Sequence, residues 1–128
     1  MVKILDSDHW IAFLRGTITT EAFDSEEVFG ITSISVAELS HGAYKSKRVT
    51  ENLSRLDILL SLIDIYPFDE WAARHFGFIK AELENRGKPI SDLDLQIACI
   101  AITHDAVLVT HNTRHFQNVP ELSLEDWL

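Results

Sequence analysis

The sequence predicts an α/β domain: a mostly parallel central sheet with helices on both faces. Short apolar runs alternate with segments of helical periodicity along all 128 residues, the order expected of parallel strands joined by right-handed helical crossovers. One run, AVLVT at 106–110, is apolar and β-branched almost throughout, as in a strand covered on both faces. No internal repeat, low-complexity stretch or linker divides the chain, so residues 1–128 are expected to form a single domain with a substantial core.

The elements follow in order. Val2 to Leu5 is a short buried strand, and HWIAFLRG is a brief helix capped by Ser7 or Asp8 and ended by Gly16. Thr17 to Glu27 is polar and acidic, helical in part. FGIT (29–32) is a second strand, leading into SISVAELSHGAYKS, where Val36, Leu39 and Ala43 recur at helical spacing. Thr50 caps a helix through about Ile63, with Leu53, Leu56, Leu60 and Ile63 as its apolar stripe; DIYPF is then a brief strand stopped by Pro67.

The next helix is the best marked. Asp69 is its N-cap, Trp71, Ala72, His75, Phe76, Ile79 and Leu83 keep the period, and Gly87, Lys88 and Pro89 end it. His75 on this face is expected to be a satisfied, partly buried histidine. ISDLDLQIACIAITHDA is a mostly buried helix opening near Asp92, followed by the AVLVT strand. A short turn or helix around Arg114 to Gln117 leads through Pro120 to a final strand in LSLEDWL.

Composition narrows the function. A net charge of −9 argues against a general coat for nucleic acid, which rests on Lys and Arg, but not against an enzyme that meets phosphates through bound cations. The basic residues gather at Lys45, Lys47 and Arg48 and again at Arg114 beside His111 and His115; such clusters are more often solvated surface, and these four count only as supporting candidates for nucleic-acid contact. A lone cysteine, Cys99 in LQIACIAI, excludes a disulfide framework and fits a buried thiol in a reducing compartment. No apolar run reaches the ~20 residues that span a bilayer, and the N-terminus has no signal-peptide pattern. A cytoplasmic protein with no membrane association is expected.

In open parallel sheets, ligands bind beyond the carboxyl ends of the strands. Asp6 and Asp8 follow the first strand, Glu38 lies just after the second, and Asn112 comes two residues past Thr110; Asp92 and Asp94 open a helix whose N-terminus favours carboxylates. Each has an innocent role as a cap, turn or helix former. Together they would repel one another unless cations sat among them. Oxygen ligands without paired cysteines favour Mg2+ or Mn2+, whereas His111 and His115, four apart, lack an evident third ligand for zinc. Metal-assisted phosphodiester hydrolysis suits such a set and needs no histidine base or nucleophilic cysteine.

The segments LDSDH, SISVAELSHGAYKS, ENLSRLDILL, FDEWAARHFGFIKAELENRGKPISDLDLQIACIAI and LVTHNTRHFQNVPELSLEDW closely resemble, in order and spacing, those of PIN-domain ribonucleases of the VapC toxin type. The resemblance covers nearly the whole chain. It implies a PIN-like fold and endonucleolytic cleavage of RNA with Mg2+ or Mn2+. Matched by position, the acidic ligands fall on Asp6, Glu38 and Asp94. The fourth position falls on Asn112, an amide that brings no charge to a second metal position and for which Asp92 could compensate. Ser7, Thr110 and Asp8 take supporting roles, Asp8 as a helix cap or a support behind the ligands. The resemblance also implies a cognate antitoxin whose basic side chain can enter the acidic pocket, a homodimer, and tRNA, initiator tRNA included, among the substrates.

Two other readings start from the same residues. In aspartate-nucleophile phosphohydrolases a DxD after a buried strand supplies the nucleophile and an acid or base, which would fall on Asp6 and Asp8 and leave Glu38 without a role. A degenerate PIN domain, deprived of its second metal through Asn112, would act only as a binding partner.

Overall fold

The computed structural model describes residues 1–128. Five strands, β1 (Val2–Leu5), β2 (Val28–Thr32), β3 (Asp64–Tyr66), β4 (Val107–Val109) and β5 (Ser123–Glu125), form one sheet in the order β3-β2-β1-β4-β5. Every neighbouring pair is parallel. Six helices complete the fold: α1 (Ser7–Leu14), α2 (Ser33–Lys45), α3 (Val49–Leu62), α4 (Glu70–Asn85), α5 (Asp92–Thr103) and α6 (Thr113–Phe116). A 3-10 turn at Thr20–Ala22 is the only helical part of the acidic stretch before β2.

Strand alternation divides the core between the two faces. Ile4 and Leu108 pack with Ala72, Ile79 and Leu83 of α4 and with the apolar body of α5. Leu5, Val107 and Val109 face the other way, onto Trp10 of α1 and Leu59 of α3. Ile4, Leu5 and Leu108 are fully enclosed. Burying each such side chain stabilises the fold by roughly 1.5–3 kcal/mol, and truncating Leu108 to alanine would cost about 2–5 kcal/mol through the cavity it leaves. Cys99 lies in this core, and burial pushes its thiol up to about 12.

Local chemistry sets the boundaries. Helix α4 ends in a Schellman motif: Gly87 at φ 66° donates to Glu84 O, and Lys88 N–H donates to Leu83 O at 2.9 Å. Gly30 is required for closeness, since a Cβ there would stand 2.4 Å from Tyr66 Cε2 and 2.7 Å from the Asp64 carbonyl of β3.

Several expectations are corrected. The cap of α1 is Asp6, whose side chain accepts Ser7 N–H; Ser7 is already helical and Asp8 caps nothing. Helix α3 begins at Val49 behind Arg48, one residue before Thr50, and buries Leu56 and Leu59; Leu53 and Leu60 are only partly covered. Trp71 is 64% exposed although it keeps the period of α4, because Ala72, Ile79 and Leu83 suffice to meet α5 and the sheet. His111 lies outside α6, so it and His115 are not one helical turn apart on a common face.

Candidate active site

The carboxyl edge of the sheet gathers residues from widely separated segments. Asp6 directly follows β1 and caps α1, and its backbone N–H still donates to Val109 O at 2.8 Å, so its position is fixed beside the β1–β4 ladder. Glu38 is delivered by α2, which Thr32 launches by accepting Ser35 N–H at 3.0 Å. Asp94 sits in the first turn of α5, where the N-cap Ser91 accepts its backbone N–H at 3.3 Å.

Asp6 is 95% buried with both oxygens engaged by neutral donors. Ser7 N–H at 2.9 Å and Ser35 Oγ at 3.4 Å donate to Oδ1, and Thr110 Oγ donates to Oδ2 at 2.9 Å. A carboxylate offers about four acceptor positions, so one lone pair of Oδ2 is left over. Burial, together with the charges of Asp8 and Asp94, holds Asp6 above the usual carboxylate range despite the hydrogen bonds from Ser7 and Thr110. Glu38 has no hydrogen-bond partner; its residue is exposed at the surface, but partial desolvation of its carboxylate and then Asp6, Asp94 and Asp8 push it up.

Asp8 goes the other way. Burial alone would raise it, but hydrogen bonds from the His9 ring (2.7 Å) and from His111 N–H (3.0 Å) outweigh that and bring it below the usual range. Asp8 therefore anchors the loop after β4. In the same loop Asn112 N–H donates to Thr110 Oγ at 3.1 Å, while the Asn112 side chain makes no hydrogen bond within the protein.

The structure thus brings Asp6, Asp8, Glu38 and Asp94 within electrostatic reach of one another. Neither Lys nor Arg pairs with any of them; Asp8 and Asp94 have only histidine partners, Asp94 meeting His115 Nδ1 at 3.2 Å. Asp92 does not join them, because it turns to Lys80 of α4 at 2.9 Å. Lys45, Lys47 and Arg48 lie at and beyond the C-terminal end of α2, exposed, with Arg48 facing Glu51. No three His, Cys, Asp or Glu side chains close into a ready-made cation cage. An open group of oxygen donors with uncompensated negative charge nevertheless fits a hard divalent cation, which takes part of its shell from water.

The acidic group is bordered on two sides by cavities. One of about 290 Å3, between α1, α2 and α3, has Glu38 and Leu39 in its wall with Arg15 and Arg55. The other, of about 400 Å3, is bounded by Asp94, Arg114 and His115.

Sequence reasoning missed Ser35 and His9. Ser35 is buried and links Thr32 to Asp6, for which the only signal was a Thr with a Ser three residues on. His9, fully buried, was read only as part of a helix.

Comparisons with known proteins place the fold in a family. The PIN domain family model matches residues 3–122. Ribonuclease VapC2 of Rickettsia felis is 40% identical over 107 residues, covering 84% of this chain and 80% of its own. The tRNA(fMet)-specific endonuclease VapC of Shigella flexneri is 40% identical over 97 residues, 76% of this chain and 74% of its own. Among solved structures, VapBC2 of Rickettsia felis bound to a promoter DNA fragment superposes with a TM-score of 0.91 at 34% identity over all of both chains. The DNA-bound VapBC of Salmonella typhimurium gives 0.91 at 32% over 100% of this chain and 99% of its own. With the family model spanning nearly the whole chain and relatives this similar, the chain belongs to the PIN-domain family, among its ribonucleases of the VapC type.

Proposed function

We propose that the chain is a Mg2+- or Mn2+-dependent endoribonuclease and the toxin of a toxin–antitoxin pair, with Asp6, Glu38 and Asp94 as the carboxylates that hold the metal. The observation that carries this reading is the meeting of these acids, with Asp8, at the carboxyl edge of the sheet, with no lysine or arginine ion-paired to any of them. A divalent cation bound there would supply a water of lowered pKa and stabilise charge on the leaving oxygen.

The protein's own residues set the stage for that chemistry. Asp6 is held rigid by Ser7, Ser35 and Thr110, with one lone pair free. Glu38 and Asp94 contribute charge that draws the cation in. Asp8 holds the loop through His111 N–H, and in that loop Asn112 N–H bonds Thr110 Oγ, which in turn bonds Asp6. The Asn112 amide can accept a hydrogen bond but adds no charge, which favours one strongly held cation over two.

RNA as substrate, and tRNA in particular, is supported by the name of the Shigella flexneri relative. A cognate antitoxin is supported by the VapBC complexes among the structural neighbours, and its basic side chain would be drawn to the same acids. We extend the reading to a cytoplasmic homodimer. No helix is long and apolar enough to cross a membrane. The test is RNA cleavage with Mg2+ or Mn2+ after stripping any antitoxin, wild type against Asp94→Asn, with the new 5′ ends sequenced. The variant should be slower by about a hundredfold or more. Equal rates would remove the site, and no cleavage by a folded wild type would leave a binding module.

A further inference from the structure

We infer that the cavity beside Asp94 is a subsite for an RNA backbone phosphate flanking the bond that is cut, with Lys88 and Arg114 as its cationic walls and Asn118 as a further donor. The inference rests on the ribonuclease reading for the identity of the strand and on the cavity itself for the site.

The cavity encloses about 400 Å3 and brings Lys88, Arg114, His115 and Asn118 together with Ser91 and a single acid, Asp94. In a chain of net charge −9 this concentration of donors stands out. Lys3, Arg48, Arg74, Lys80 and Arg86 each pair with a carboxylate, whereas Lys88 and Arg114, like Arg15, Lys45, Lys47 and Arg55, pair with none. Both are therefore available to an anion entering from solvent.

Their placement is built rather than incidental. Lys88 is the residue whose N–H closes the Schellman motif of α4 on Leu83 O, and Pro89 follows it at once, so its backbone is fixed at the cavity wall. Arg114 rides on α6, a short helix pinned to the core by Phe116, which is 99% buried. Asp94 is shared: it lines the cavity and belongs to the acidic group, and His115 bridges the two by meeting its Oδ2. A phosphodiester strand carries like charges at regular intervals. One phosphate laid on a cation held by the acids would bring a neighbour over Lys88 and Arg114, where bidentate Arg contact and a Lys point charge suit its oxygens.

The test measures binding of a short fluorescein-labelled single-stranded RNA of mixed sequence to the full chain across a salt series with Mg2+ present. A Glu38→Gln background prevents turnover during the measurement. Lys88→Ala/Arg114→Ala should weaken binding by about tenfold and flatten the log K against log salt slope by about 0.7, the increment for one neutralised phosphate on a single strand. Arg114→Lys should retain most of the slope, and Arg74→Ala, at an exposed α4 residue ion-paired only with Glu70, should leave it unchanged. Both cavity residues are exposed, so thermal unfolding should be unaltered.

An unchanged slope in the cavity variant, or an equal flattening in the Arg74 variant, overturns the subsite. So does loss of binding to an acidic peptide with RNA binding intact, which would make the cavity a protein-docking site. RNA binding that depends on Lys88 and Arg114, with no cleavage by the protein that keeps Glu38, would leave the phosphate site standing and remove the ribonuclease reading. Cleavage with unaltered KM by the double variant that keeps Glu38 would do the reverse.

Discussion

The backbone N–H of Trp127 donates to Nε2 of the buried His9 at 3.1 Å, joining the end of the chain to α1 across 118 residues of sequence. That bond requires a lone pair on Nε2, so the proton is on Nδ1 and is directed at Asp8 Oδ1, 2.7 Å away. His9 thereby ties three things together: the tail after β5, helix α1, and the carboxylate that grips the loop after β4.

Replacing His9 with leucine should cost about 2–3 kcal/mol in denaturant unfolding, since it strands the Trp127 N–H and deprives Asp8 of a donor inside the fold. A loss under about 0.5 kcal/mol would mean that water reaches these groups freely.

Glu38→Gln should separate activity from stability. Turnover should fall by about a hundredfold or more, while the metal-free protein should hold its stability or gain a few tenths of a kcal/mol, because one of four mutually repelling carboxylates is neutralised at an exposed position. Parallel unfolding curves and RNA-cleavage rates would check both halves, and a destabilised variant would show that Glu38 has an unrecognised structural partner.

Lys3 of the central strand β1 pairs with Glu27 and Glu125, each at 3.1 Å, with its side chain mostly covered. Burial would lower Lys3, but its two glutamate partners outweigh that and raise it above 10.5; hydrogen bonds from Trp127 and Lys3 overcome the burial of Glu125 and hold it below 4.5. Stability from the raised lysine is present below 10.5 and disappears as pH rises through its folded value; that from the lowered glutamate is present above 4.5 and disappears as pH falls through its folded value. Lys3→Met should therefore cost about 0.5 kcal/mol at neutral pH and little at either extreme, as read by unfolding midpoints across pH.

Gly30→Ala should be costly for a reason confined to one approach: its Cβ would meet the Asp64 carbonyl at 2.7 Å as well as the movable Tyr66 ring. A loss of about 2–4 kcal/mol is expected. Tyr66→Ala in the same chain should recover only part of it, because the carbonyl remains.

Cys99, fully buried and with its thiol pushed up to about 12, should resist iodoacetamide in the native protein and react only on unfolding. Rapid native labelling would indicate frequent opening of the α5 core.

The sequence by itself determined the alternation of strands and helices, the parallel sheet, and the three acids that follow β1, follow β2 and open α5. These are local matters: apolar periodicity, glycine and proline punctuation, and strand-to-helix junctions repeat within a few residues and can be read in place. Tertiary structure alone decided which polar groups face each other. Asp6 took the cap from Ser7 and Asp8 because the β1–β4 ladder fixes its backbone. Asp92 left the site because α4 brought Lys80 to it. Asp8 became the anchor of a distant loop because β4 lies beside β1. Partnerships between side chains far apart in sequence depend on strand order and helix packing, and no periodicity in a single segment encodes them.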